Sequence, residues 1–402
     1  MSTNTPAPVL QVRCLRTEED WQACRAALDA LAAAAPPSPW ATWQNWHSIW
    51  KIRCAPARCW LIEIALGGAH APIDAAGIFR ENHSRRAWGT LKALRTLDWS
   101  ATRQPPLIMR AGMERAACTA LVAALPRIAR EAGAHLLALY YMDGATLPPL
   151  YDSLCAAGYA VRRRIATFDL QIVGPLDVDA HLKQQQHLRV KKIGESERKF
   201  ARECGVRPRM VRRRGGFATE PDLRRLWDLY QAMWHAAWQW NYLQQQHKEN
   251  AAASTQYLEE LVAYASDNEC LDIILLMAGE KPVAGYVSML HGDTLWLMVT
   301  CYDQAYAKYG PGAMILRGLL LDSQQRGDRV IDFGGEALDW KRGWANKETP
   351  MYQIECGIGG LPGLVWSLKQ RLSPGKEDAL LRLHHIQSRA DFEKHAAGEE
   401  KT

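Results

Sequence analysis

Apolar positions recur along this chain at two periods, and the switches between them lay out its elements. An alanine-rich stretch over 17–35 carries the helix period, with Thr17 placed as N-cap and acidic residues in the first turn. Prolines end it. Trp40, Trp43, Trp46 and Trp50 then recur at spacings of three and four, which puts them on one helix face. "CWLIEIAL" and "APIDAAGIF" read as strands joined by the turn "GGAH", while "RTLDW" and "PPLIM" are short and extended. Residues 114–132 predict a helix closed by Gly133, "HLLALYYM" a buried strand, 148–157 a short helix, and "VRRRIATFDLQI" an alternating strand.

A second round follows a bridging helix over 179–204. "RPRMVRR" is a strand, 220–239 and 254–266 are helices, and 271–303 is a three-strand meander with turns at "AGEKP" and "HGD". "YAKYGPGAMILRG" then passes through a Gly310-Pro311-Gly312 turn into a helix reaching about Gln325, before the strand "RVIDFG". Both rounds run in the same order without visible sequence identity, so the repeat is one of architecture. The expected fold is α/β (α+β), with two tandem mixed-sheet domains and flanking helices. Its expected parts are a first domain over 1–176, a basic bridging helix over 177–204, a second domain over 205–360 and a helical tail over 361–402.

At 402 residues with 48% hydrophobic content, the chain is long enough for two or three cores. It contains no run of 18 apolar residues, so no membrane span is expected. The N-terminus lacks a charged segment followed by an apolar one. Ten scattered cysteines without a CxxC suggest reduced thiols, no structural metal and a cytoplasmic location. The net charge of +6 is unevenly spread: Arg189–Arg214 holds eleven Lys or Arg against three Glu, so the remainder is slightly acidic. Such a run is either a solvated face or a dock for an acidic partner.

The order of elements, together with "KPVAGYVSML", "YDQAYAKYGPGAMIL", "RGDRVIDFGGE" and "DWKRGW", resembles the GNAT superfamily of acyltransferases. The resemblance is greatest to its double-domain branch, with the BioF2-like or CelD/BcsL-type acetyltransferases and the FemABX aminoacyl-transferases. It implies two tandem GNAT-like domains, the second catalytic. It also implies acyl-CoA or an acyl-phosphopantetheine carrier as co-substrate, no metal, and a small-molecule or peptide amine as acceptor.

The pyrophosphate of such a donor rests on amides where a loop opens a helix, because those N–H groups lack intrahelical partners and carry the positive dipole end. Gly310, Gly312 and Ala313 are the candidates. Simple GNAT enzymes carry Arg or Gln where this chain has Ala307, and Pro311 offers no donor. Lys308 is the candidate for the missing charge.

Acyl transfer to an amine needs a proton acceptor and donors for the developing oxyanion. By the resemblance, Lys341 corresponds to the lysine of an aromatic-Lys pair near the transferred acyl group, here with Trp340, and Asp98 to an acid near the acceptor. His235 is a candidate base, Glu336 and Asp339 are alternative carboxylates, and Tyr302 or Tyr309 could protonate a leaving thiolate. No Ser-His-Asp order, HExxH, P-loop or GxGxxG occurs. Direct attack in a ternary complex is the expected mechanism. Two other readings stand beside it: a FemABX-like transferase using aminoacyl-tRNA, and a degenerate GNAT-like binding or scaffold protein. An acidic carrier protein, or tRNA, is the expected visitor to 189–214.

Overall fold

The computed structural model describes residues 7–54, 58–68, 70–86, 89–97, 105–144, 146–174, 177–237, 248–334 and 338–372. The chain forms two compact units. It passes from the first to the second between Phe168 and Asp169, and returns to the first at Thr349.

The first unit opens with β1 (Val9–Leu15) and α1 (Glu18–Ala34). A capping box starts α1: Thr17 accepts from the Asp20 amide, and Asp20 accepts from the Thr17 amide in return. In α2 (Trp43–Ile49) and the π-turn after it, the tryptophan face is buried as its spacing predicts, with Trp40, Trp43, Trp46 and Trp50 all at 5% exposure or less. Next come β2 (Cys59–Ala65), β3 (Ala75–Arg86), β4 (Gly89–Thr96), β5 (Ile108–Met109), α3 (Glu114–Ala132), β6 (Leu136–Met142), α4 (Leu147–Ala156) and β7 (Val161–Val173). β1 to β4 pair antiparallel in chain order, and β4 then pairs parallel with β6. Gly133, at φ 62°, closes α3 as the sequence predicts. α3 and α4 bury Leu121, Leu125, Ile128, Leu150 and Leu154 against one sheet face.

The second unit holds α5 (Val178–Cys204), β8 (Arg209–Gly215), α6 (Pro221–Ala236), α7 (Lys248–Asp267), β9 (Leu271–Ala278), β10 (Lys281–His291), β11 (Thr294–Tyr302), α8 (Pro311–Arg326), β12 (Val330–Asp332) and the single turn α9 (Asp339–Arg342). β8 to β11 again pair antiparallel in chain order, and β11 pairs parallel with β12. The two units therefore repeat one pairing scheme, which is the mixed α/β architecture expected from the sequence. Leu223, Trp227, Tyr230 and Val262 close the core on the α6 side.

The chain division departs from 205–360. The end of β7 pairs antiparallel with β12, while β13 (Lys347–Gly357) pairs antiparallel with β6. Each unit thus takes in a strand lying far away in sequence. α10 (Gly360–Leu372) follows, with Trp366 packed on Leu91, Ala93 and Leu136 of the first unit. The tail expected over 361–402 begins inside this helix, and its remainder lies outside the described residues. The alternation in β1 and β13 was not recognised as strand.

The C-terminal end of the basic stretch is partly engaged inside the fold. Arg212, with a side chain 1% exposed, donates to Asp272, Asp322, Asp328 and Ser323 at 2.7–3.1 Å. Arg214 donates to Asp272 at 2.6 Å and to Asp328 at 2.9 Å. Burial opposes the Arg212 charge, but these carboxylates more than offset it and hold the guanidinium protonated. Two of the three terminal arginines therefore neutralise buried acids. They do not present charge to an acidic carrier or to tRNA. Arg213 is more exposed and pairs with Asp222 at 3.2 Å.

Candidate active site

The site in the second unit begins where two strands part. β11 and β12 are paired only from Thr294 to Trp296 against Val330 to Asp332, and β11 continues to Tyr302 paired with β10 alone. On its other edge β11 carries one extra residue: Val287 pairs with Val299, but Ser288 pairs with Leu297, so Met298 is bulged. A bulge bends its strand and increases the local twist, and this one lies just past the last residue of β11 that pairs with β12.

A glycine sits at the parting point. Gly334 has φ 57°, and a Cβ built on it would fall 2.4 Å from the Leu297 carbonyl oxygen. Both facts require glycine there. Asp332, fully buried, holds this turn: one carboxylate oxygen accepts from the Gly334 amide at 2.7 Å, and the other accepts from Gln171 Nε2 at 2.9 Å. The same Gln171 amide also donates to Asp169 at 2.9 Å.

Lys341 reaches this turn from α9. It is 9% exposed, its Nζ donates to the Gly334 carbonyl at 2.6 Å, and it lies 5.7 Å from the centre of the Trp340 ring. The chain beyond it is tied down by His181 of α5, whose Nε2 donates to the Trp344 carbonyl at 3.0 Å. Asn346 pairs with both backbone groups of Val173. A solvated loop lysine would show none of these restraints. Lys341 is therefore a cation fixed at the mouth of the parted strands.

The helix opening differs in detail from the expectation. A 3₁₀ turn over Gln304–Tyr309 leads to Gly310, left-handed at φ 63°, and then to Pro311 as the first residue of α8. The Gly310 amide donates to Ala307 at 3.0 Å, and the Ala313 amide to Gly310 at 3.1 Å. Two of the three candidate amides are thereby engaged. Gly312 retains an N–H without an intrahelical acceptor by its position, and a Cβ there would meet nothing within 4 Å. Lys308 pairs with Glu203 at 2.9 Å, and Tyr309 donates to the same carboxylate oxygen at 3.0 Å. The charge expected of Lys308 is thus already matched.

His235 lies exposed in the last turn of α6. Asp98 and Glu336 lie outside the described residues, as does the side chain of Asp339. Cys301 on β11 is buried, which pushes its thiol up to about 12 and removes it as a thiolate nucleophile. A cavity of about 370 Å³ lies instead along β8, and there Arg213, Arg225 and Arg326 are each paired with an acid. Asp332, Gln171 and His181 were missed by sequence reasoning. Asp332 stood within the quoted "RVIDFGGE", but its partners follow only from the strand pairing. Among the described residues, no group of three or more His, Cys, Asp or Glu is placed to hold a metal, and no helix is long and apolar enough to cross a membrane.

Comparison with known proteins bears on this geometry. Residues 189–342 match the family model described as an acetyltransferase (GNAT) domain. A conserved protein of unknown function from Bacteroides thetaiotaomicron VPI-5482 is similar in structure, with a TM-score of 0.53, 11% identity, and coverage of 86% of this chain and 100% of its own. FemX is similar at a TM-score of 0.52 and 9% identity, with coverage of 90% and 99%. No curated protein matches the sequence. At these identities the likeness to the solved structures is one of fold alone, and the acetyltransferase (GNAT) match extends over residues 189–342.

Proposed function

We propose that this chain is an N-acyltransferase that moves an acyl group from acyl-CoA, or from an acyl-phosphopantetheine carrier, to an amine by direct attack. The observation that carries the reading is the Lys341 ammonium anchored on Gly334 where β11 and β12 part. Parted strands leave backbone donors and acceptors on β11 that an extended pantetheine arm would satisfy. The donor pyrophosphate would meet the Gly312 amide, whose surroundings are open.

In the reaction, the neutral amine attacks the thioester carbonyl. A C–N bond forms, charge develops on the carbonyl oxygen, and the C–S bond then breaks. Lys341 is the candidate partner for the oxyanion. The amine proton leaves to solvent or to a base, and the thiolate takes one up. Tyr309 is bound to Glu203, so Tyr302 at the end of β11 is the better tyrosine for that last step.

Arg212 and Arg214, neutralised internally, offer no charge to a carrier or tRNA donor. One observation favours a binding protein without turnover: Gly310 and Ala313 have committed their amides, which leaves a spare phosphate cradle. The deciding experiment incubates the protein with acetyl-CoA and longer acyl-CoAs against a panel of amines and follows free thiol and product mass. CoA binding without thiol release for any pair would establish the binding-protein reading and overturn the enzyme.

A further inference from the structure

The first unit has a parting of strands of its own. There, β4 and β6 are paired from Ala93 to Arg95 against Leu136 to Ala138. The last paired row of the second unit is Trp296 with Asp332; in the first unit it is Arg95 with Ala138. Thr96 bridges the strands just beyond, because its hydroxyl accepts from the Tyr140 amide at 3.2 Å. Tyr141 follows in a left-handed conformation at φ 59°.

Partners across strands share a face. The row through Arg95 reads Arg80, Arg95, Ala138, Glu355. It lies on the face opposite the α3 core, since Phe79, Leu94, Leu137, Leu139 and Ile354 alternate into that core. Two arginines thus stand side by side in register, a like-charge arrangement that disfavours pairing of their strands. Glu355, at the far end of the row, is taken by Gln353 at 2.7 Å and Arg162 at 3.6 Å.

Arg95 itself has no carboxylate partner among the described residues. Its guanidinium carbon stacks 4.6 Å from the centre of the Tyr140 ring, and its Nε is buried with no hydrogen-bond acceptor. A charged donor buried and unmet is unfavourable, and a guanidinium carries its N–H donors along the edge of a plane. That edge matches the two oxygens of a carboxylate or phosphate.

We infer that Arg95, stacked on Tyr140 beside Arg80 at the strand parting of the first unit, is the anchor of a binding site for a compact oxyanion, a carboxylate or a phosphate monoester. The site stands independently of the acyl-transfer reading. It gives the first unit a recognition role of its own.

The test is phenylglyoxal labelling of arginines in the full chain, mapped by peptide mass spectrometry, in sodium phosphate, sodium acetate or sodium chloride at equal ionic strength. Phosphate or acetate should slow labelling of Arg95 about tenfold relative to chloride if the bound fraction reaches roughly nine-tenths. Protection by phosphate alone supports the phosphate source, and protection by acetate alone the carboxylate. Equal labelling in all three salts overturns the site. As a second measurement, the thermal midpoint of the wild type should rise with the protecting anion, and Arg95→Gln should lose that rise while remaining folded in chloride. A variant that keeps the full anion-dependent rise would also overturn it.

Discussion

Lys341 donates to the carbonyl of Gly334 across seven residues of chain, and the Gly334 amide in turn donates to Asp332. The lysine is therefore positioned by the turn it contacts, and that turn by a buried acid. Lys341→Ala should lower kcat by about 10² with KM for the donor little changed, if the ammonium meets the oxyanion. Steady-state kinetics with acyl-CoA check this, and an increase confined to KM would reassign Lys341 to phosphate binding.

Gly334→Ala should be severe without removing any side chain. The new methyl meets the Leu297 carbonyl oxygen at 2.4 Å and also occupies a left-handed backbone. A loss of about 2 kcal/mol or more in urea unfolding is expected. Unaltered stability would mean that the strands part differently.

Gly312→Val probes the helix opening. Open space surrounds that position and valine is a better helix former than glycine, so the fold should tolerate the change with stability within about 0.5 kcal/mol of wild type. The donor KM should rise, because the valine covers the approach to the amide. A folded variant with the wild-type KM would remove this turn from donor binding.

Arg212→Ala should destabilise the second unit by about 3–5 kcal/mol, since it leaves Asp272 buried without this partner. Arg213→Ala should fall within about 0.5 kcal/mol of wild type, because its ion pair is solvated. Denaturant titrations separate the two. Reversing all three arginines to Glu should therefore unfold the unit, and is no test of docking.

The same network sets an acid limit. Burial works to raise the Asp328 carboxyl, but Arg214 and Arg212 outweigh it and hold the pKa below its ordinary value. A carboxyl with a lowered folded pKa contributes its stability above the unfolded value of about 3.9 and loses it as pH falls through the folded one. Stability should therefore decline below about pH 4, and Asp328→Asn should flatten that decline while lowering stability at neutral pH. Urea midpoints from pH 7 to 3 for both proteins decide it.

Local signals made much of this readable in sequence. Thr17 and Gly133 mark helix ends, the tryptophan spacing marks a buried face, and the Gly-Pro-Gly turn marks the start of α8. Lys341 stood out through its resemblance to a family motif. What stayed hidden depends on distance along the chain. The acids that neutralise Arg212 lie 60 to 116 residues away, so its run reads as bare charge. The unmet Nε of Arg95 and the engaged amides of Gly310 and Ala313 are facts of geometry that residue type does not encode.

The pairing of β13 with β6 has a consequence for how the protein is made. During synthesis, the first unit leaves the ribosome with the outer edge of β6 uncovered. The strand that closes it, up to Gly357, is translated only after the whole of Asp169–Glu348. Until then an open, largely apolar strand edge is available to any other nascent chain. Two neighbouring polypeptides on one message could each lend the other a β13, so the same exchange that completes one molecule also provides a direct route to interlocked pairs.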